Sequence, residues 1–108
     1  MSTITDERMN GALEFLVASD EEAAELKTDA ERAEFKARAI KAAVFKHSQG
    51  TVADRSAEAE NSDEYKAAME EYFVKSELAD KIKYRRDTAE LVIRAWQTVA
   101  ANRRQGTI

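Results

Sequence analysis

The stretch AAELKTDAERAEFKARAIKAAVFKH, from Ala23 to His47, decides the fold class. Ala23, Leu26, Ala30, Ala33, Ala37, Ile40, Val44 and His47 follow one another at alternating steps of three and four residues. A mean step of 3.5 keeps one stripe of a helix facing a partner and implies left-handed supercoiling. The same spacing runs through Tyr65, Ala68, Tyr72, Lys75, Ala79, Ile82, Arg86, Ala89, Ile93, Trp96, Ala100 and Arg103. Both stripes are rich in alanine, which lets helix axes approach closely. Met69, Phe73, Leu78, Val92 and Val99 flank the second stripe and widen its face, as a bundle requires.

Composition agrees with this reading. The chain of 108 residues has no proline and only three glycines, Gly11, Gly50 and Gly106. Those two residue types are the strongest breakers of regular structure. Charged residues make up 35% of the chain, above the usual quarter, which suits thin helical assemblies better than a large globular core. The expected fold is all-α: a long antiparallel helical hairpin with a shorter N-terminal helix, forming a coiled-coil-like bundle in a single domain, 1–108. Thr5 before Asp6-Glu7, Ser19 before Glu22 and Asn61 before Glu64 read as helix starts, the last two as capping boxes, with Ser62 a rival to Asn61. Gly50 and Gly106 read as stops. The predicted helices are 6–18, 20–48 and 62–103, with 51–60 a loop or a frayed short helix.

Charge sets the orientation of the hairpin. Residues 1–34 carry a net −7, residues 35–50 a net +4, residues 51–80 a net −6 and residues 81–108 a net +5. Antiparallel pairing of the two long helices lays acidic segments beside basic ones, whereas parallel pairing lays like beside like. On these lengths the third helix outruns the second by roughly 20 Å. The excess, about residues 91–103, exposes Val92, Ile93, Trp96, Val99 and Ala100. The first helix, with Met9, Leu13, Leu16 and Val17 at helical spacing, is its expected cover.

Two readings of Trp96 compete. It anchors the first helix or a second subunit, or it stacks on a nucleic-acid base with Arg103 and Arg104 on phosphates. The inner-stripe position favours packing. Leu13, Leu16, Ile40, Val44, Tyr72, Ile82, Ile93 and Trp96 are therefore the expected packing and oligomer residues. The basic stretch KIKYRRDTAE supplies the alternative, a nucleic-acid-binding surface of Lys81, Lys83, Tyr84, Arg85 and Arg86 with Arg103 and Arg104. Asp87 and Glu90 interrupt that stretch, and last-turn cations stabilise a helix without any ligand.

No catalytic, cofactor or metal site is expected. Without cysteine there is no disulfide, thiol nucleophile or cysteine-held zinc. His47 is the sole histidine and suits a helix C-terminus. The acidic runs DEE and MEEYF lack a calcium-loop pattern. There is no phosphate-cradling glycine loop. The opening MSTITDERMNGALEF lacks a signal-peptide pattern, and no run approaches the ~20 apolar residues of a membrane span, so a cytoplasmic protein is expected.

The segment Ala89–Gly106, AELVIRAWQTVAANRRQG, resembles the C-terminal end of small helical proteins encoded by tailed phages and prophages. Many of these end in a tryptophan helix followed by an Ala-Asn-x-Arg-like stretch. The matching positions are Trp96, Thr98, Ala101, Asn102 and Arg103 or Arg104, within 18 of 108 residues. The resemblance brings no catalytic residue and implies an accessory role. Separately, alanine-rich stripes on long helices, with few large apolar residues for a chain of this length, predict a homo-oligomer, a dimer or higher, with an unidentified protein as a further candidate partner and no membrane.

Overall fold

The computed structural model describes residues 4–106. Three helices follow in order: α1 (Asp6–His47), α2 (Val52–Asn61) and α3 (Asp63–Gly106), with no strand among the described residues. The chain is all-α, and within each of its compact units a part of α1 lies antiparallel to a part of α3. Two compact units are distinguished, one of Met1–Ala23 with Asp80–Ile108, the other of Ala24–Ala79.

Helix α1 corrects the expected boundary at Ser19. It runs unbroken from Asp6 to His47, so the predicted helix 6–18 is the first part of one long element. Ser19 caps nothing. It is 4% exposed, with its hydroxyl turned toward α3. The physical reason lies in the stripe: Met9, Ala12, Leu16, Ser19 and Ala23 continue the three-four spacing backward in phase. A break at Ser19 would forfeit backbone hydrogen bonds and throw that stripe out of register. The start at Thr5 is as expected, since its Oγ1 accepts from the Arg8 N–H at 3.1 Å.

The connection holds a second departure. The segment read as a loop or frayed helix is the capped helix α2. Thr51 Oγ1 accepts from the Asp54 N–H at 3.1 Å, and Asp54 Oδ2 accepts from the Thr51 N–H at 3.2 Å, a reciprocal capping box. Gly50 precedes it at φ 111°, a left-handed conformation that glycine adopts without strain. Asn61 is the last residue of α2, and Ser62 caps α3, its Oγ accepting from the Tyr65 N–H at 3.3 Å. Arg55 ties α2 to the end of α1: its guanidinium lies 4.3 Å from the Phe45 ring centroid, and its Nε donates to the Phe45 carbonyl at 3.1 Å.

In the Ala24–Ala79 unit the buried residues are Ala30, Ala33, Ala37, Ala59 and Ala68. Lys36 pairs with Glu71 at 3.2 Å, while Lys41 reaches Glu60 at 3.4 Å and lies over the Tyr65 ring. Both ion pairs join the basic segment 35–50 to the acidic segment 51–80. In the other unit Ala12, Ala89 and Val92 form a small cluster with Ile4, Phe15, Leu16 and Ile93 packed against it. There Asp6 lies beside Trp96 and Asp20 beside Arg86, again an antiparallel order. Among the described residues, seven of the nine buried apolar side chains are alanine. A buried methyl contributes about 0.8 kcal/mol, against ~1.5–3 kcal/mol for a large apolar side chain, so this interior is thin.

Candidate interaction surface

Arg86 makes three hydrogen bonds to α1. It occupies a stripe position on α3, and its side chain is 23% exposed. One terminal nitrogen donates to the Leu16 carbonyl at 2.8 Å and to Ser19 Oγ at 2.7 Å. The other donates to Asp20 Oδ1 at 2.6 Å. A planar guanidinium has the fork of donors this requires, which lysine lacks. Its three acceptors all lie on one turn of α1.

The neighbouring basic residues are also engaged within the chain. Lys83 lies 3.8 Å from Asp87 and over the Tyr84 ring. Arg85 lies 5.5 Å from the Phe15 ring centroid. Lys81 and Arg104 are likewise partnered. Lys81, Lys83, Tyr84 and Arg85 are exposed, and Arg86 is turned inward. Arg103 and Arg104 sit in the last turn of α3, where positive charge complements the helix dipole.

Trp96 is half-buried. Its indole Nε1 donates to Asp6 Oδ1 at 2.7 Å, fastening the first turn of α1 to α3. A shallow recess beside it is bounded by Ile4, Val99, Ala100 and Arg103. Indole nitrogens are donors only, so the Asp6 carboxylate satisfies the one polar group of this ring.

The other expected packing residues divide in two. Ile82 is buried; Leu16, Ile40, Val44, Tyr72 and Ile93 are half-buried. Leu13 is 43% exposed. His47, read as a stripe member, is the exposed last residue of α1. The large outward side chains include Val17 and Phe35, each 75% exposed, and Tyr84 and Leu91, at 62% and 61%. Among these, Leu91 and Phe35 went unnoticed in the sequence because they lie off the main stripe. Among the described residues no three histidine or acidic side chains converge to hold a metal ion, and no helix is long and apolar enough to cross a membrane.

No family model, no curated protein and no solved structure matches this chain.

Proposed function

We propose that this chain is a helical, self-associating interaction protein, working in the cytoplasm as an accessory factor of phage or prophage origin. The observation that carries the reading is an inversion of side-chain size: alanine fills the interior, while Val17, Phe35, Tyr84 and Leu91 face outward. The total surface points the same way. A monomer of 12.1 kDa exposes about 6,000 Å² on average, and this chain exposes 8201 Å². The excess, roughly 2,200 Å² on one chain, compares with about 1,000–2,500 Å² per partner in obligate interfaces.

The phage origin is supported by the Trp96-to-Arg104 resemblance. Catalysis has no support among the side chains described above. The rival, nucleic-acid binding through the basic part of α3, is weakened by Arg86, whose donors are committed to α1.

Light scattering coupled to size exclusion, at tens of micromolar, tests the reading. The expected mass is a dimer or higher. A monomer mass across that range overturns it. A salt-sensitive shift of labelled DNA or RNA, lost in an Arg103→Ala/Arg104→Ala variant, establishes the rival in its place.

A further inference from the structure

Helix α3 carries a second stripe, on its outer face. Tyr84, Thr88, Leu91, Ala95 and Thr98 repeat the three-four spacing, and all five are exposed. At 100° per residue they fall within a sector of about 80°, roughly opposite the inward Ala89, Ile93 and Trp96. In a chain that is 35% charged, this run of exposed positions bears no charge. Such a face is the pattern of a helix meant to meet another helix.

The two threonines strengthen the case. Thr88 Oγ1 donates to the Tyr84 carbonyl at 3.0 Å, and Thr98 Oγ1 donates to the Arg94 carbonyl at 3.1 Å. Each hydroxyl is satisfied within its own helix, so desolvating these side chains leaves no orphaned donor. The stripe then offers a phenol ring, a leucine and methyl groups.

We infer that this outer stripe is the seam of an antiparallel, two-fold symmetric dimer, with a second copy of this chain as its occupant. The inference rests on the self-association proposed above and assigns its surface. Charge selects both occupant and direction. Asp87 and Arg94 lie on one edge of the stripe, two turns apart, with Leu91 near their midpoint. A two-fold axis beside Leu91 sets Leu91 against the partner's Leu91. It also brings Asp87 to the partner's Arg94 and Arg94 to the partner's Asp87. A parallel pairing turns this edge toward the opposite edge of the partner's stripe and makes neither ion pair. The contact of Asp87 with Lys83, at 3.8 Å between side chains 66% and 53% exposed, is weak enough to be shared. An isologous contact of this kind closes on itself and stops at two. A standard interface covers about 800 Å² per partner, well within the excess surface of this chain.

Leu91→Glu places two like charges at the centre of the seam. Truncating a hot-spot residue weakens binding by about 30-fold or more, and a buried charge costs more. Leu91 is 61% exposed in the single chain, so its replacement spares the fold, which circular dichroism checks. The expected result is a dimer for the wild-type chain, a monomer for Leu91→Glu at tens of micromolar, and an unchanged dimer for Phe35→Glu. A dimer that survives Leu91→Glu overturns this seam and leaves self-association standing. A monomeric wild-type chain overturns both.

The absence of cysteine allows a second, independent test of direction. Oxidation is expected to cross-link Leu91→Cys to itself. Tyr84→Cys and Thr98→Cys are expected to cross-link only when the two variants are mixed. Efficient self-linking of Tyr84→Cys means parallel pairing and overturns the inference.

Discussion

Replacing Arg86 with alanine removes the strongest side-chain link between α1 and α3 in its unit. The loss has two parts. Three charge-assisted hydrogen bonds disappear, to the Leu16 carbonyl, Ser19 Oγ and Asp20 Oδ1. Hydrogen bonds to charged groups contribute about 1.5–3 kcal/mol each when shielded, but Asp20 is 70% exposed and its share is small. The Leu16 carbonyl sits within α1 and keeps its helical environment. Ser19 is different: at 4% exposure its hydroxyl loses its Arg86 partner in the interior, a penalty of about 1–3 kcal/mol. Together a destabilisation of about 2–4 kcal/mol is expected. For a chain of this length each kcal/mol lowers the melting temperature by roughly 4 °C, giving a drop of ~8–16 °C.

The double variant Ser19→Ala/Arg86→Leu separates the two parts. It leaves no polar group stranded in the seam, because Asp20 is already in water. Replacing a buried charged cluster by apolar residues of similar volume is often neutral or stabilising. The double variant should therefore recover at least half of what Arg86→Ala loses. Thermal melts by circular dichroism, at one fixed protein concentration because assembly shifts apparent stability, measure both. An Arg86→Ala melt within 2 °C of wild type, about half a kcal/mol, refutes the reasoning. So does a double variant as unstable as the single one.

Trp96→Ala should destabilise by about 1–3 kcal/mol, less than the ~3–5 kcal/mol of a fully buried tryptophan, since the ring is half-exposed and loses one hydrogen bond to Asp6. An unaltered melt together with lost DNA binding would instead mark a stacking residue. Gly11→Ala should stabilise by about 0.5–1 kcal/mol, because Gly11 is helical, its added Cβ meets nothing within 4 Å, and alanine is the better helix former. Destabilisation there would reveal that another chain approaches the α1 backbone closely. Gly50→Ala should cost more than 1 kcal/mol: the backbone stands at φ 111° and an added Cβ lies 2.8 Å from Asp54 Oδ2, inside the capping box of α2. A melt equal to wild type would show that the connection relaxes freely.

The inward seam was legible in the sequence. From Ala23 to Val44 and from Tyr65 to Ala100, every stripe position is buried or half-buried. Hydrophobic period is a property of the whole helix, and whole-helix signals average out local exceptions. The errors came from local signals. Ser19 with Glu22 has the letters of a capping box, yet the hydroxyl found a better partner in Arg86, 67 residues away. Thr51 with Asp54 has weaker letters and is a true cap, because Gly50 turns the chain just before it. In both cases a local pattern states what a residue is able to do, and the rest of the chain decides whether it does it.

The basic stretch of α3 and its outer stripe went differently for a related reason. Lysine and arginine letters advertise an anion without saying that the anion is on the same chain. The stripe position of Arg86 already indicated an inward role, and the acidic segment beside it in an antiparallel hairpin already supplied Asp20. The outer stripe was hidden by the letters themselves, since threonine counts as polar in any hydropathy scan. Only the hydroxyl-to-carbonyl bonds of Thr88 and Thr98 reveal two side chains whose polar atoms are spent within their own helix. With those two counted as apolar, α3 carries a repeating face on each side, one covered by α1 and one in water. The covered face is set by the stripe that the sequence shows, whereas the face in water is read only from where the two threonine hydroxyls bond.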